Sequence, residues 1–194
     1  MGLSCGLPIG TIAKEQAFLL QMINGKNGMN SQWKDSSYAK AGEGTAGSAL
    51  LVFRVGDRRC ALSLGVVERV VRAAAVTPLP HLPETILGMI DIQGEVLPVI
   101  DLRIALGLPV QPLSPEDQFI VAHTPVRRLT LVIDEALEVH HCFPENVTAS
   151  SPIFPGSDPV QAIVRDEQGL IQVLDLDQLL NQAEEKALVA ALES

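Results

Sequence analysis

From residue 49 onward the apolar positions fall in short runs divided by Gly, Asp, Asn and Pro, rather than in the three-and-four spacing of an amphipathic helix. Segments 49–55, 59–64, 66–71, 86–93 and 95–100 are β-branched or alternating, and the Gly56-Asp57 pair between the first two is a turn signal. A second series follows at 118–122, 128–133, 136–141, 160–165 and 170–174, broken by Thr124-Pro125, by a Pro/Ser/Gly-rich loop over 143–159 and by a turn over 167–169. Ten short strands at this spacing predict an all-β chain built as a barrel or sandwich. The segment 77–84 (TPLPHLPE) is excluded from any sheet centre, because three prolines remove three ladder donors.

The two series echo each other. Residues 88–107 (GMIDIQGEVLPVIDLRIALG) return in shortened form as 168–180 (QGLIQVLDLDQLL), and 57–70 (DRRCALSLGVVERV) returns as 126–139 (VRRLTLVIDEALEV). One small β unit used twice accounts for both echoes. Within the unit, Gly88, Gly94 and Gly169 are expected at turns or close backbone approaches. Pro98 marks an edge or a bulge, and Asp101 and Asp175 end a strand and cap the turn that follows. Leu176, Leu179, Leu180, Ala183, Ala187, Ala190 and Ala191 share one face of a terminal helix expected over about 176–192. The organisation read from this is an N-terminal extension over 1–47, then a domain over 48–194 with a first barrel at about 49–108 and a second at about 117–175. The extension carries a helical stretch at 11–23 and then a Gly/Asn/Ser/Lys-rich stretch that reads as a disordered linker.

The net charge of −9, with only 14 Lys and Arg, argues against a nucleic-acid partner, since neutralising phosphates needs a basic face. Cys5, Cys60 and Cys142 show no CxxC spacing, so no disulfide framework or zinc site is expected and a reducing cytoplasm fits. No run approaches the ~18 apolar residues of a membrane span, and no secretory signal pattern is present, so direct membrane insertion is not expected.

Candidate chemistry does not survive inspection. Adjacent residues on a strand point to opposite faces, so His140 and His141 cannot share a metal ion without a bulge. His81 and His123 lie in a loop and a turn with no nucleophile pattern beside them. Asp101 and Asp175 occupy equivalent repeat positions, which favours capping over a carboxylate dyad. Arg58-Arg59 and Arg127-Arg128 each follow a hairpin turn and read as solvated ends. No catalytic residue, cofactor or metal is expected.

Residues 49–192 resemble the CheW-like domain of bacterial chemotaxis. The resemblance rests on residues 51–57 (LVFRVGD), 76–80 (VTPLP) and above all Gly88, Gly94 and the run 96–103 (VLPVIDLR), which includes Pro98, Asp101 and Arg103. It implies two side-by-side five-stranded SH3-like barrels, and a non-enzymatic adaptor role. The implied partners are the cytoplasmic tips of chemoreceptors (methyl-accepting proteins) and the regulatory domain of a CheA-type histidine kinase, in the cytoplasm beside membrane receptor arrays. Val67, Val70 and Ile90 are then the expected interface anchors, with Arg69 and Gln93 as tuning positions. Two residues depart from the family pattern: Gln93 stands where an arginine is common, and Arg69 where Glu is frequent. A ligand-binding or structural double-barrel module, using the groove between the units as a pocket, is the alternative reading.

Overall fold

The computed structural model describes residues 48–142, 147–149, 159–180 and positions 184, 186, 188 and 189. The extension expected over 1–47 lies outside the described residues. Eleven strands are described: β1 (Ser48–Val55), β2 (Arg58–Ser63), β3 (Val67–Arg72), β4 (Ile86–Ile92), β5 (Glu95–Asp101), β6 (Gln118–His123), β7 (Arg128–Ile133), β8 (Glu135–Cys142), β9 (Val147–Ala149), β10 (Val160–Asp166) and β11 (Gly169–Leu174). A single-turn helix α1 (Leu102–Ala105) follows β5. The all-β class holds, with one sheet in the order β3-β6-β7-β5-β4 and a second in the order β8-β1-β2-β11-β10-β9. The three-residue β9, inside what the sequence presents as a loop, is too short to leave a periodic signal.

The duplication is visible in three dimensions, but the two copies exchange strands. With β1 matched to β6, β2 to β7, β3 to β8, β4 to β10 and β5 to β11, the order of one sheet becomes the order of the other once β9 is set aside. Each sheet therefore holds two strands from one copy and three from the other, which corrects the contiguous barrels expected over about 49–108 and 117–175. The cause lies in the connections. Only Asp134 separates β7 from β8, too little for a hairpin, so the chain crosses to the other sheet there. The matching crossing after β2 is a 3-10 turn, Leu64–Val66. Parallel pairing of β5 with β7 and of β2 with β11 then joins the copies.

Most central strands are apolar on both faces. Along β1, Leu50 and Val52 enter one cluster with Ala61, Val164, Ile171 and Val173. Leu51, Phe53 and Val55 enter a second with Ile120, Leu131 and Ile133. Phe119, Val121, Val132, Val99 and Leu97 form a third. The first lies within the six-stranded sheet, the third within the five-stranded one, and the second, which draws on both, fastens the two together. Strands buried on both faces read as continuous apolar runs, which is why alternation is weak in this sequence.

Local irregularities have identifiable causes. A bulge at Glu68 breaks the pairing of β3 with β6 and lets Val67 and Val70, three apart, face the same core. A second bulge in β4 brings Gly88 under the Pro-rich loop, where Thr77 and Met89 exchange two backbone hydrogen bonds of 2.8 and 2.9 Å. Gly88 has φ +147°, and a Cβ there would overlap the Thr77 carbonyl oxygen and come within 2.9 Å of Pro78 Cα. Pro98 is not on an edge strand, but pairing of β5 with β7 begins only at Val99, so its missing N–H interrupts no ladder on that side. Asp101 accepts from the Arg103 N–H at 2.8 Å and Asp175 from the Asp177 N–H at 3.0 Å, each capping a turn after its strand. Of the helix expected over about 176–192, the described part is a 3-10 turn at Leu176–Gln178 and helical residues at 184, 186, 188 and 189. Leu188 is fully buried against Ile86 and Met89, and the Thr85 hydroxyl donates to Glu184 at 2.7 Å.

Candidate partner-binding surface

One end of the five-stranded sheet carries one of the expected interface residues, Gln93, at a hairpin tip. The β4–β5 hairpin turns on Gln93 and Gly94, both with positive φ (60° and 87°), and the Asp91 carboxylate accepts the Gly94 N–H at 2.7 Å. Two consecutive left-handed residues match the right-handed twist of the strands, and they leave Gln93 exposed at the tip. Beside it, Arg128 at the start of β7 donates to Glu68 of β3 from Nε at 2.8 Å and from a second nitrogen, and to Glu95 of β5. Glu68 holds the Arg128 guanidinium above its already high pKa. This triad ties three strands at the hairpin end. Val96, near the start of β5, and Val126, between β6 and β7, stand 58% and 75% exposed at the same end.

The five predicted interface positions separate. Gln93 is exposed and Arg69 half-buried, but Val67, Val70 and Ile90 are 9%, 0% and 8% exposed. Their side chains belong to the cores, Val67 and Val70 to the cluster between the sheets and Ile90 to that of the five-stranded sheet. The anchor role read from sequence is corrected accordingly: these three support the surface from beneath. Nothing in the local pattern of Val96 or Val126 separates an exposed valine from a core one.

Arg103 is 5% exposed and lies where the sheets meet. It pairs with Asp134, the crossing residue, and stands 3.9 Å from Asp117. The other oxygen of Asp134 accepts the Gly56 N–H at 2.9 Å. Neither aspartate is marked as a partner of Arg103 by its sequence neighbours.

A third polar group closes the end of the six-stranded sheet. Glu138, His140 and Asp166 bring ligand-type atoms within 4.8 Å of one another, the only such group among the described residues. Arg59 already meets their charge, donating to both oxygens of Asp166 at 2.8 and 2.7 Å and to Glu138 at 3.2 Å. Its hydrogen bonds hold the Asp166 carboxyl below the usual carboxylate range. Burial pushes the Cys60 thiol up to about 12, which removes it as a nucleophile. A groove of about 110 Å³, lined by Leu62, Val66, His123, Pro125 and Leu174 among others, runs between the sheets. No helix among the described residues is long and apolar enough to cross a membrane.

Two sheets sharing a core, with charged networks at their ends, define a double β module. The chain belongs to the CheW-like domain family, whose model matches residues 49–184. It is 31% identical over 93 residues to chemotaxis protein CheW of Rhizobium meliloti, a match spanning 48% of this chain and 60% of that one. Over 155 residues it is 26% identical to the probable chemotaxis protein CheW of Rhizobium etli, across 78% of this chain and 99% of that protein. The crystal structure of the scaffolding protein TtCheW from Thermoanaerobacter tengcongensis superposes with a TM-score of 0.66 at 23% identity, covering 72% of this chain and 96% of that one, and shows the same fold.

Proposed function

We propose that this chain is a non-enzymatic adaptor that couples the cytoplasmic tips of chemoreceptors to the regulatory domain of a CheA-type histidine kinase, in the cytoplasm beside receptor arrays. The observation that carries the reading is the family match over residues 49–184, which spans nearly all of the described structure. The hairpin end of the five-stranded sheet supports it. Exposed Gln93, Val96 and Val126 surround a charge triad there, giving the mixture of apolar contact and rim charge by which partners are chosen. The departures at Gln93 and Arg69 lie on or next to this surface, so the partner served is one adapted to a hairpin tip that presents an amide in place of a cation.

The small-ligand alternative is disfavoured by size. The groove of about 110 Å³ is well below the ~300–1,000 Å³ of pockets that enclose drug-sized ligands. Titration of the purified chain with a kinase regulatory domain, followed by light scattering, tests the adaptor reading. A complex with the summed mass is expected, and its absence at about ten micromolar on both sides, where a Kd near 1 μM would leave most of the protein bound, overturns it.

A further inference from the structure

The two units close their ends in the same way, with one exception. Arg59 of β2 and Arg128 of β7 hold the same position of the repeat, and each gathers two carboxylates, Glu138 with Asp166 and Glu68 with Glu95. At the repeat position of His140, however, the first unit has Val71, which packs against the core of the five-stranded sheet. Pairing agrees with the repeat: Val71 lies opposite Phe119 of β6, and His140 opposite Leu50 of β1. Closing the end therefore does not require a histidine at that position. Yet the Nε2 of His140 is buried and makes no hydrogen bond among the described residues, a costly state for a polar atom.

What His140 adds is a third ligand-type atom. One of its ring nitrogens and one oxygen each from Glu138 and Asp166 all lie within 4.8 Å of one another. Glu138 and His140 are two apart on β8 and share a face, while Asp166 ends β10, brought across by the curl of the intervening strands β1, β2 and β11. Arg59 does not exhaust the group. One guanidinium stands against two carboxylates, and each oxygen it bonds keeps a second lone pair. Its two bonds to Asp166 keep that carboxyl ionised and oriented, the part a hydrogen-bonded neighbour plays beside a metal-ligating carboxylate. We propose that Glu138, His140 and Asp166 form a binding site for a divalent transition ion of the zinc class. One imidazole nitrogen with two carboxylate oxygens favours Zn²⁺ over Mg²⁺ and Ca²⁺, and three protein ligands leave a fourth position to water. The nearby guanidinium makes the site weaker than a closed structural zinc centre. Bound there, the ion fastens β8 to β10. The site does not depend on the adaptor reading, because none of its residues lies at the hairpin end of the five-stranded sheet.

The test titrates the full chain with zinc chloride alone in a calorimeter and follows thermal unfolding with and without the ion. Saturable binding of one Zn²⁺ is expected within a titration to about 100 μM. At tenfold excess over Kd the midpoint of unfolding is expected to rise by about 3 °C or more. His140→Val, which installs the residue of the other unit, is expected to fold and to weaken zinc by about tenfold or more. His140→Gln replaces it if the valine variant does not fold. Cys5→Ser with Cys142→Ser, which removes competing thiol ligands, is expected to leave the affinity unchanged. Absent binding, binding that survives the loss of His140, binding lost with the cysteines, or an equal response to Mg²⁺ each overturn the proposal.

Discussion

Arg103 and Asp134 meet at the point where the chain leaves one sheet for the other, with side chains only 6% and 14% exposed. The pair does two things at once. It neutralises a buried guanidinium, and it fixes Asp134 so that its second oxygen can hold the Gly56 N–H in the turn between β1 and β2. Strand exchange between the copies depends on this crossing, so the pair links sequence to topology directly.

Removing one partner of a buried ion pair leaves an uncompensated charge. Arg103→Ala is therefore expected to cost about 3–5 kcal/mol, read as a lowered midpoint in urea unfolding. Arg54→Ala is the control. Its guanidinium is 45% exposed and lies 3.5 Å from the same Asp134, and the expected loss is below about 1 kcal/mol.

Two glycines with positive φ are expected to respond differently to alanine. Gly88→Ala drives a methyl into the Thr77 backbone and is expected to cost more than about 3 kcal/mol or prevent folding. Gly94→Ala has nothing within 4 Å of the new Cβ, so only left-handed strain of about 1–2 kcal/mol is expected. Thermal unfolding of both variants checks the difference.

Gln93 pays the same left-handed penalty at φ 60° in the native chain. Gln93→Gly is expected to stabilise the fold by about 1 kcal/mol in denaturant titration. A loss of stability would show that the Gln93 side chain makes a compensating contact.

The Arg59–Asp166 pair gives an acid dependence with a definite sign. The Asp166 carboxyl is held below its ordinary 3.8 by the hydrogen bonds from Arg59, so the ionised form favours the folded state. Its contribution is complete above that ordinary value and is lost as pH falls below it, through the lowered folded-state pKa. Unfolding measured from pH 6 to about pH 2.5 is expected to show a decline below about pH 4 that is smaller in Asp166→Asn.

Much of the fold was legible because its signals are local. Turn residues at Gly56-Asp57 and Gly169, prolines over 77–84 and the capping aspartates Asp101 and Asp175 each act within a few residues, and each appears where its chemistry requires. Strand exchange was not legible. The repeat gives the same pattern whether β1 and β2 pair with their own copy or the other, and the deciding feature is the single-residue link at Asp134. The same limit hid the surface: Val67, Val70 and Ile90 look like anchors in sequence, while a bulge at Glu68 turns both valines into the core shared by the sheets and the core of the five-stranded sheet takes Ile90. The polar networks of Arg103 and Arg59 join residues far apart in the chain, and no spacing rule could have found them.

The adaptor role is the central claim, and joint assembly tests it most directly. The chain, a receptor cytoplasmic tip and a kinase regulatory domain are mixed at about ten micromolar each and their masses followed by analytical ultracentrifugation. The account predicts one species containing all three, which dissociates into pairs or single proteins when this chain is left out. Sedimentation of the chain alone, with the other two unaffected by its presence, would contradict it.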